Sequence, residues 1–233
     1  MAYSLIPAFL GVLLAVTLTS AGTRRAPRHE PVRFLALGDS YTIGEGVEPA
    51  QRWPVVLAAR LRARHVNVAD PEIIARTGWT TDELSAAITA ASPAGAYGLV
   101  TLLIGVNNQY RGRDTTEYRA QFRDLLARAV ALAGGAPARV LVVSIPDWGV
   151  TEFAEGRDRA AIGAAVDAFN TVALAEAVRA GCHWADITPL SRRHGMAPGR
   201  LAADGLHPSA SAYAEWAKVA DDTLRAGFPS APR

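Results

Sequence analysis

The chain has 233 residues, half of them hydrophobic and a fifth charged, with 24 basic and 22 acidic side chains and a net charge of +2. That is the composition of one globular domain, large enough to bury well over half of its unfolded surface without disulfides or a structural metal. The single cysteine, Cys182, excludes an intramolecular disulfide and a multi-thiolate zinc site, and the basic residues are scattered among acids, so nucleic-acid binding has no support.

No charge precedes Arg24, and Leu5 to Thr19 is apolar, with small residues Ser20, Ala21 and Gly22 after it. Residues 1–22 are therefore expected to be a signal peptide or a membrane anchor, with Thr19 and Ala21 suiting a small-x-small cleavage site. Two features oppose this: the n-region has no Lys or Arg, and Arg24, Arg25 and Arg28 lie beyond the apolar run, where a retained anchor would hold the domain in the cytoplasm. Export, whether periplasmic, extracellular or membrane-anchored, is favoured over a cytoplasmic location, and membrane association would run through this segment. Residues 23–31 are expected to be a linker, and 32–228 the folded domain.

From Val32 onward, short apolar runs alternate with longer helical ones. Strands are expected at Val32 to Leu37, Val66 to Ala69 with Ile73 to Ala75, Leu99 to Leu103, Val140 to Ser144 and, weakly, His183 to Ile187. Helices are expected at Trp53 to Arg64, Thr81 to Ala91, Thr116 to Ala133, Arg157 to Ala180 and Ser209 to Ala226, the fourth showing Val166, Phe169, Val172, Ala173 and Val178 at helical spacing. Continuous apolar strands separated by helices imply a parallel sheet covered on both faces, so the expected fold is α/β, a three-layer α/β/α sandwich with about five strands. In such sheets ligands bind beyond the carboxyl ends of the strands. Polar turns stand there: Gly38-Asp39-Ser40, Gly105-Val106-Asn107-Asn108 and Pro146-Asp147-Trp148.

Covalent ester hydrolysis needs a hydroxyl nucleophile, an imidazole to take its proton, a carboxylate to orient the imidazole, and donors for the developing oxyanion. Ser40 directly follows a buried-type strand. Near the other terminus, Asp204-Gly205-Leu206-His207-Pro208 would bring Asp204 and His207 together if it forms a helical turn, because residues three apart then share a face. Each piece also has a plainer reading: Gly-Asp-Ser as a turn or helix cap, Asn107 and Asn108 as a turn, Asp204 and His207 as a cap and a surface imidazole or as two metal ligands.

The blocks together carry a resemblance. Phe34 to Tyr41 resembles the first block of the SGNH, or GDSL-like, hydrolase superfamily of esterases and lipases; Thr77-Gly78 resembles its second, Gly105 to Asn108 its third and Asp204 to Pro208 its fifth. The resemblance implies a flavodoxin-like SGNH hydrolase fold and a serine hydrolase of acyl esters, with Ser40, Asp204 and His207 as catalytic triad. It implies an oxyanion hole of the Ser40 and Gly78 N–H groups and the Asn107 amide. Asn108 stands where this family often has Asp, which touches local turn bonding, and Tyr41 where its short name has Leu, with little consequence expected.

Asn108, Trp79, Trp148 and Arg111 are further candidates for substrate binding. His65, His183 and His194 have no motif neighbours and are expected to have surface or structural roles. Gly44-Glu45-Gly46 lacks the third glycine of a dinucleotide fingerprint, and no metal set is complete, so no cofactor and no metal are implied. The expected partner is a small-molecule, lipid or sugar acyl ester. Two alternatives stay open: an acyltransferase using the same residues, and a carrier or binding module in which Gly-Asp-Ser resembles a phosphopantetheine attachment site.

Overall fold

Strand β1, Phe34–Asp39, is buried along its whole length because it lies inside the sheet with apolar side chains toward both faces. A computed structural model describes Met1 and residues 30–225. Apart from Met1, the expected signal or anchor over residues 1–22, most of the linker and the last residues of the expected domain lie outside them. The remaining strands are β2, Glu72–Arg76; β3, Leu99–Leu103; β4, Val140–Val143; and β5, His183–Ala185. All neighbours pair in parallel, in the order β2-β1-β3-β4-β5. That is the flavodoxin-like order.

The helices begin with the four-residue α1, Ser40–Ile43, which follows β1, and include α2, Trp53–Ala63; α3, Thr81–Ala91; α4, Val106–Tyr110; and α5, Thr115–Leu132. The chain closes with α6, Arg159–Ala180; α7, Thr188–His194; and α8, Ala210–Arg225. The passage from β1 to β2 runs toward one edge, whereas β2 to β3, β3 to β4 and β4 to β5 run the other way. Right-handed crossovers then place α2 on one face and α3, α5 and α6 on the other. The packing agrees: α8 joins α2, while α5 lies between α3 and α6. The reversal falls between β1 and β3, so a crevice opens where those strands end, and Ser40 and Asn107 emerge there.

Several boundaries move for local reasons. The expected run from Val66 contributes only one bridge, Val68 to Val32, and Pro71 separates it from β2. Asp158 caps α6 by accepting from the Ala161 N–H, so the helix begins at Arg159. On α6, Val166, Phe169, Val172, Ala173 and Ala177 are buried, but Val178 is exposed, because the stripe follows Ala177 and turns away from its neighbour. The expected helical turn at Asp204 to His207 is not helical: Gly205 has φ +67°, a value that suits glycine and breaks the helix. Helices α1, α4 and α7 were too short to show a period.

Candidate active site

Ser40 is the first residue of α1, directly after β1. Asp39 caps that helix, its Oδ1 accepting the Tyr41 N–H at 3.0 Å. The strand and the cap hold Ser40 at the rim of the sheet with its hydroxyl facing His207. The distance from Ser40 Oγ to His207 Nε2 is 2.9 Å, and from His207 Nδ1 to Asp204 Oδ2 it is 2.6 Å. Ser40 and His207 are both buried.

Asp204 and His207 meet through an Asx turn. Asp204 Oδ1 accepts the N–H groups of Leu206 and His207, each at 2.9 Å, and its other oxygen is left for the imidazole. Burial pushes the Asp204 carboxyl up, but the hydrogen bonds from the His207 ring and the two backbone N–H groups outweigh it and hold the group below its usual range. An ionised carboxylate only accepts, so Nδ1 carries the proton and Nε2 is free to accept from the Ser40 hydroxyl. The segment is braced at its base by a bridge between Leu201 and Pro208 and by Ala202 N–H donating to His207 C=O at 2.8 Å.

Opposite His207 stand the other two motif residues. Gly78 has φ +84°, where a glycine is favoured, and its carbonyl accepts from Arg111 Nη2 at 2.6 Å. Thr77 ties the same turn to Glu45 through a hydroxyl–carboxylate bond. Asn107 Nδ2 donates to Trp79 C=O at 3.0 Å and, more weakly, to Asp39 Oδ2 at 3.4 Å. Asp39 is fully buried, and that burial pushes its carboxyl up to about 7 despite the backbone bonds opposing the shift.

Ser40, Gly78, Asn107 and His207 line one cleft of about 150 Å³, together with Tyr41, Thr77, Val106, Tyr110, Trp148, Phe153 and Leu206. Of the further candidates from the sequence, only Trp148 lines it, oriented by its Nε1 donating to Gln109 Oε1 at 2.7 Å. Asn108 is instead buried beneath the turn, where its Oδ1 accepts the Thr81 N–H at 3.1 Å and its Nδ2 donates to the Thr81 hydroxyl at 2.7 Å. It fixes the start of α3 and does not reach the cleft. Trp79 packs against the core and offers its carbonyl to Asn107. Arg111 is taken up by Gly78 C=O and by Glu83, an ion pair at 3.3 Å, and braces the Gly78 turn.

Sequence reasoning missed Tyr110 and Phe153, which line the cleft from α4 and from the loop before α6, and it gave Tyr41 no weight. The Tyr41 ring lies 5.0 Å from the His207 ring and 5.9 Å from Trp216, forming an aromatic backing that keeps water from that side of the imidazole.

Residues 36–215 match the profile of the GDSL-like lipase/acylhydrolase family. Among solved structures, TesA is similar with a TM-score of 0.67 at 22% identity, over 84% of this chain and 99% of that one. Axe2, an acetylxylan esterase from Geobacillus stearothermophilus, is similar with a TM-score of 0.64 at 19% identity, over 87% and 97%. The psychrotrophic esterase EstA from Pseudoalteromonas sp. gives 0.60 at 16%, over 83% and 97%. Identities this low speak to the fold, and among curated proteins none matches. With the family profile spanning β1 to the start of α8, the chain belongs to the GDSL-like lipase/acylhydrolase family of hydrolases.

Proposed function

We propose that the protein hydrolyses carboxylic acyl esters with Ser40 as nucleophile, His207 as general base and then acid, and Asp204 as the group that orients and stabilises the imidazole. The observation that carries this reading is the unbroken relay from Ser40 Oγ to His207 Nε2 at 2.9 Å and from His207 Nδ1 to Asp204 at 2.6 Å, with Ser40 opening on the cleft.

Ser40 Oγ attacks the ester carbonyl while its proton passes to His207 Nε2, and Asp204 stabilises the resulting imidazolium. The carbonyl oxygen becomes an oxyanion. The N–H of Ser40 is free for it, because the first N–H groups of a helix have no intrahelical partner. The Gly78 N–H and the Asn107 amide complete the hole, the oxyanion displacing the long bond from Asn107 to Asp39. The tetrahedral intermediate collapses, the alcohol leaves with the proton from His207, and an acyl ester on Ser40 remains. Water, deprotonated by His207, attacks that ester and releases the acid and the free serine.

A cleft of about 150 Å³ is small beside pockets that enclose drug-sized ligands, which supports short acyl groups over long ones. The test is hydrolysis of a p-nitrophenyl ester series from acetyl upward by wild type and by Ser40→Ala. Activity that peaks at short chains and disappears with Ser40 is expected; activity that survives Ser40→Ala would remove the serine mechanism. Alcohol acceptors added to the same assay separate hydrolysis from acyl transfer, because an obligate hydrolase yields only free acid.

A further inference from the structure

The cleft has two unlike walls. Thr77, Gly78 and Asn107 make a hydrogen-bonding wall, with the Thr77 hydroxyl held by Glu45, whereas Tyr110, Trp148 and Phe153 make an aromatic one whose rings meet at 5.5 to 6.0 Å. Tyr110 and Phe153 are 47% and 39% exposed, so the aromatic wall continues out of the cleft onto the surface. It is fixed relative to the catalytic segment, since the Phe153 N–H donates to Gly205 C=O at 3.1 Å, one residue from Asp204.

Arg157 caps this wall. Its guanidinium carbon stands 5.6 Å from the Tyr110 ring, 5.5 Å from Trp148 and 5.3 Å from Phe153. Arg111, which braces the Gly78 turn, is by contrast taken up by Gly78 C=O and Glu83. Arg157 makes no ion pair and no side-chain hydrogen bond among the described residues, although Glu152 and Glu155 lie in the same loop. A guanidinium held over aromatic rings keeps its N–H edge free, and that edge matches a carboxylate or phosphate in a two-point contact.

We propose that Tyr110, Trp148, Phe153 and Arg157 form a subsite for an anionic group on the ester, a carboxylate or phosphate joined to the reacting carbonyl through an apolar stretch that lies on the three rings. This rests on the ester-hydrolase reading of the same cleft and adds the substrate class. The anionic group belongs to either the acyl or the alcohol portion, and two pairs of probes separate these sources. Mono-p-nitrophenyl glutarate against p-nitrophenyl butyrate tests the acyl side; 4-acetoxybenzoate against its methyl ester tests the alcohol side.

Each kcat/KM is compared between wild type and Arg157→Gln, so the intrinsic reactivity of the esters cancels. For the pair on the correct side, the variant is expected to lose about tenfold more on the anionic ester than on the neutral one, the worth of one charge-assisted contact. The wild-type preference should shrink as salt is raised. Equal losses on the anionic and neutral members of both pairs would overturn the subsite. A binding measurement keeps this separate from the catalytic reading: in the Ser40→Ala background, calorimetry with 4-phenylbutyrate and 4-phenylbutan-1-ol should show the anion bound more tightly, and Arg157→Gln should abolish the difference. If no ester is hydrolysed yet the anion preference depends on Arg157, the esterase reading falls and the subsite stands. If acid and alcohol bind alike, the subsite falls whatever the activity.

Discussion

His207 and His194 stand on either side of one short segment, residues 195–206, and each holds a carboxylate at nearly the same distance, Asp204 at 2.6 Å and Glu215 at 2.7 Å. Their surroundings separate them. The far nitrogen of His207 faces the Ser40 hydroxyl at 2.9 Å beside a cleft, and Asp204 gives its second oxygen to backbone N–H groups. Glu215 gives its other oxygen to Arg200 at 2.7 Å, so its charge is already neutralised, and among the described residues no hydroxyl bonds the His194 ring. A His–carboxylate contact supplies chemistry when the carboxylate is free to stabilise an imidazolium and the other nitrogen meets a nucleophile. Otherwise it is a strut, here one that fastens α7 and the segment after it to α8.

Substitutions break this comparison in order of size. His207→Ala should lower kcat by about 10⁴- to 10⁶-fold, as loss of a catalytic base does in a triad, with the fold retained by circular dichroism. Asn107→Ala should cost about 100- to 1000-fold in kcat, the worth of one oxyanion donor, and near-normal turnover would remove Asn107 from the mechanism.

A third carboxylate sharpens the contrast. Asp39 is pushed up to about 7, whereas Asp204 and Glu215 are held low. In the unfolded chain Asp39 ionises near pH 4; in the fold it keeps its proton to about 7. Between those values the folded state binds more protons, so this group lowers stability as pH rises, and the penalty is complete above about 7. Asp39→Asn keeps the helix cap and removes the penalty. Its melting temperature should exceed that of wild type by more at pH 8 than at pH 5, while turnover falls because, with Oδ1 kept on the Tyr41 N–H, the NH2 group now standing in place of Oδ2 cannot accept from Asn107. A gain independent of pH would show that burial of the charge is not the cause. The smallest effect belongs to His194→Ala, with kcat within about twofold and a stability loss under about 1 kcal/mol by chemical denaturation, since a partly exposed His–carboxylate contact contributes little.

The elements most legible in the sequence were those governed by neighbours in the chain. Leu99–Leu103 and Thr81–Ala91 fall where their apolar run and helical period put them. Ser40 stood out because a buried-type strand ends there, and Asn107 only through the order of the motif blocks that carry the family resemblance. Asn108 was misplaced for a different reason: which of two adjacent amides faces the cleft depends on the Thr81 backbone, 27 residues away. Tyr41 looked inconsequential for the same reason, since the ring it backs lies at the far end of the chain.

By itself the sequence determined the α/β alternation, the family resemblance and the identity of every group in the proposed relay, because patterns of period and motif are local. Only the tertiary structure decided the winding reversal that brings β1 and β3 together, the Asx turn that joins Asp204 to His207, and the different surroundings of His207 and His194. It alone assembled Tyr110, Trp148, Phe153 and Arg157 on one wall. Burial, charge neutralisation and the direction of a side chain are properties of what packs against a residue, and in this protein those neighbours come from remote parts of the chain.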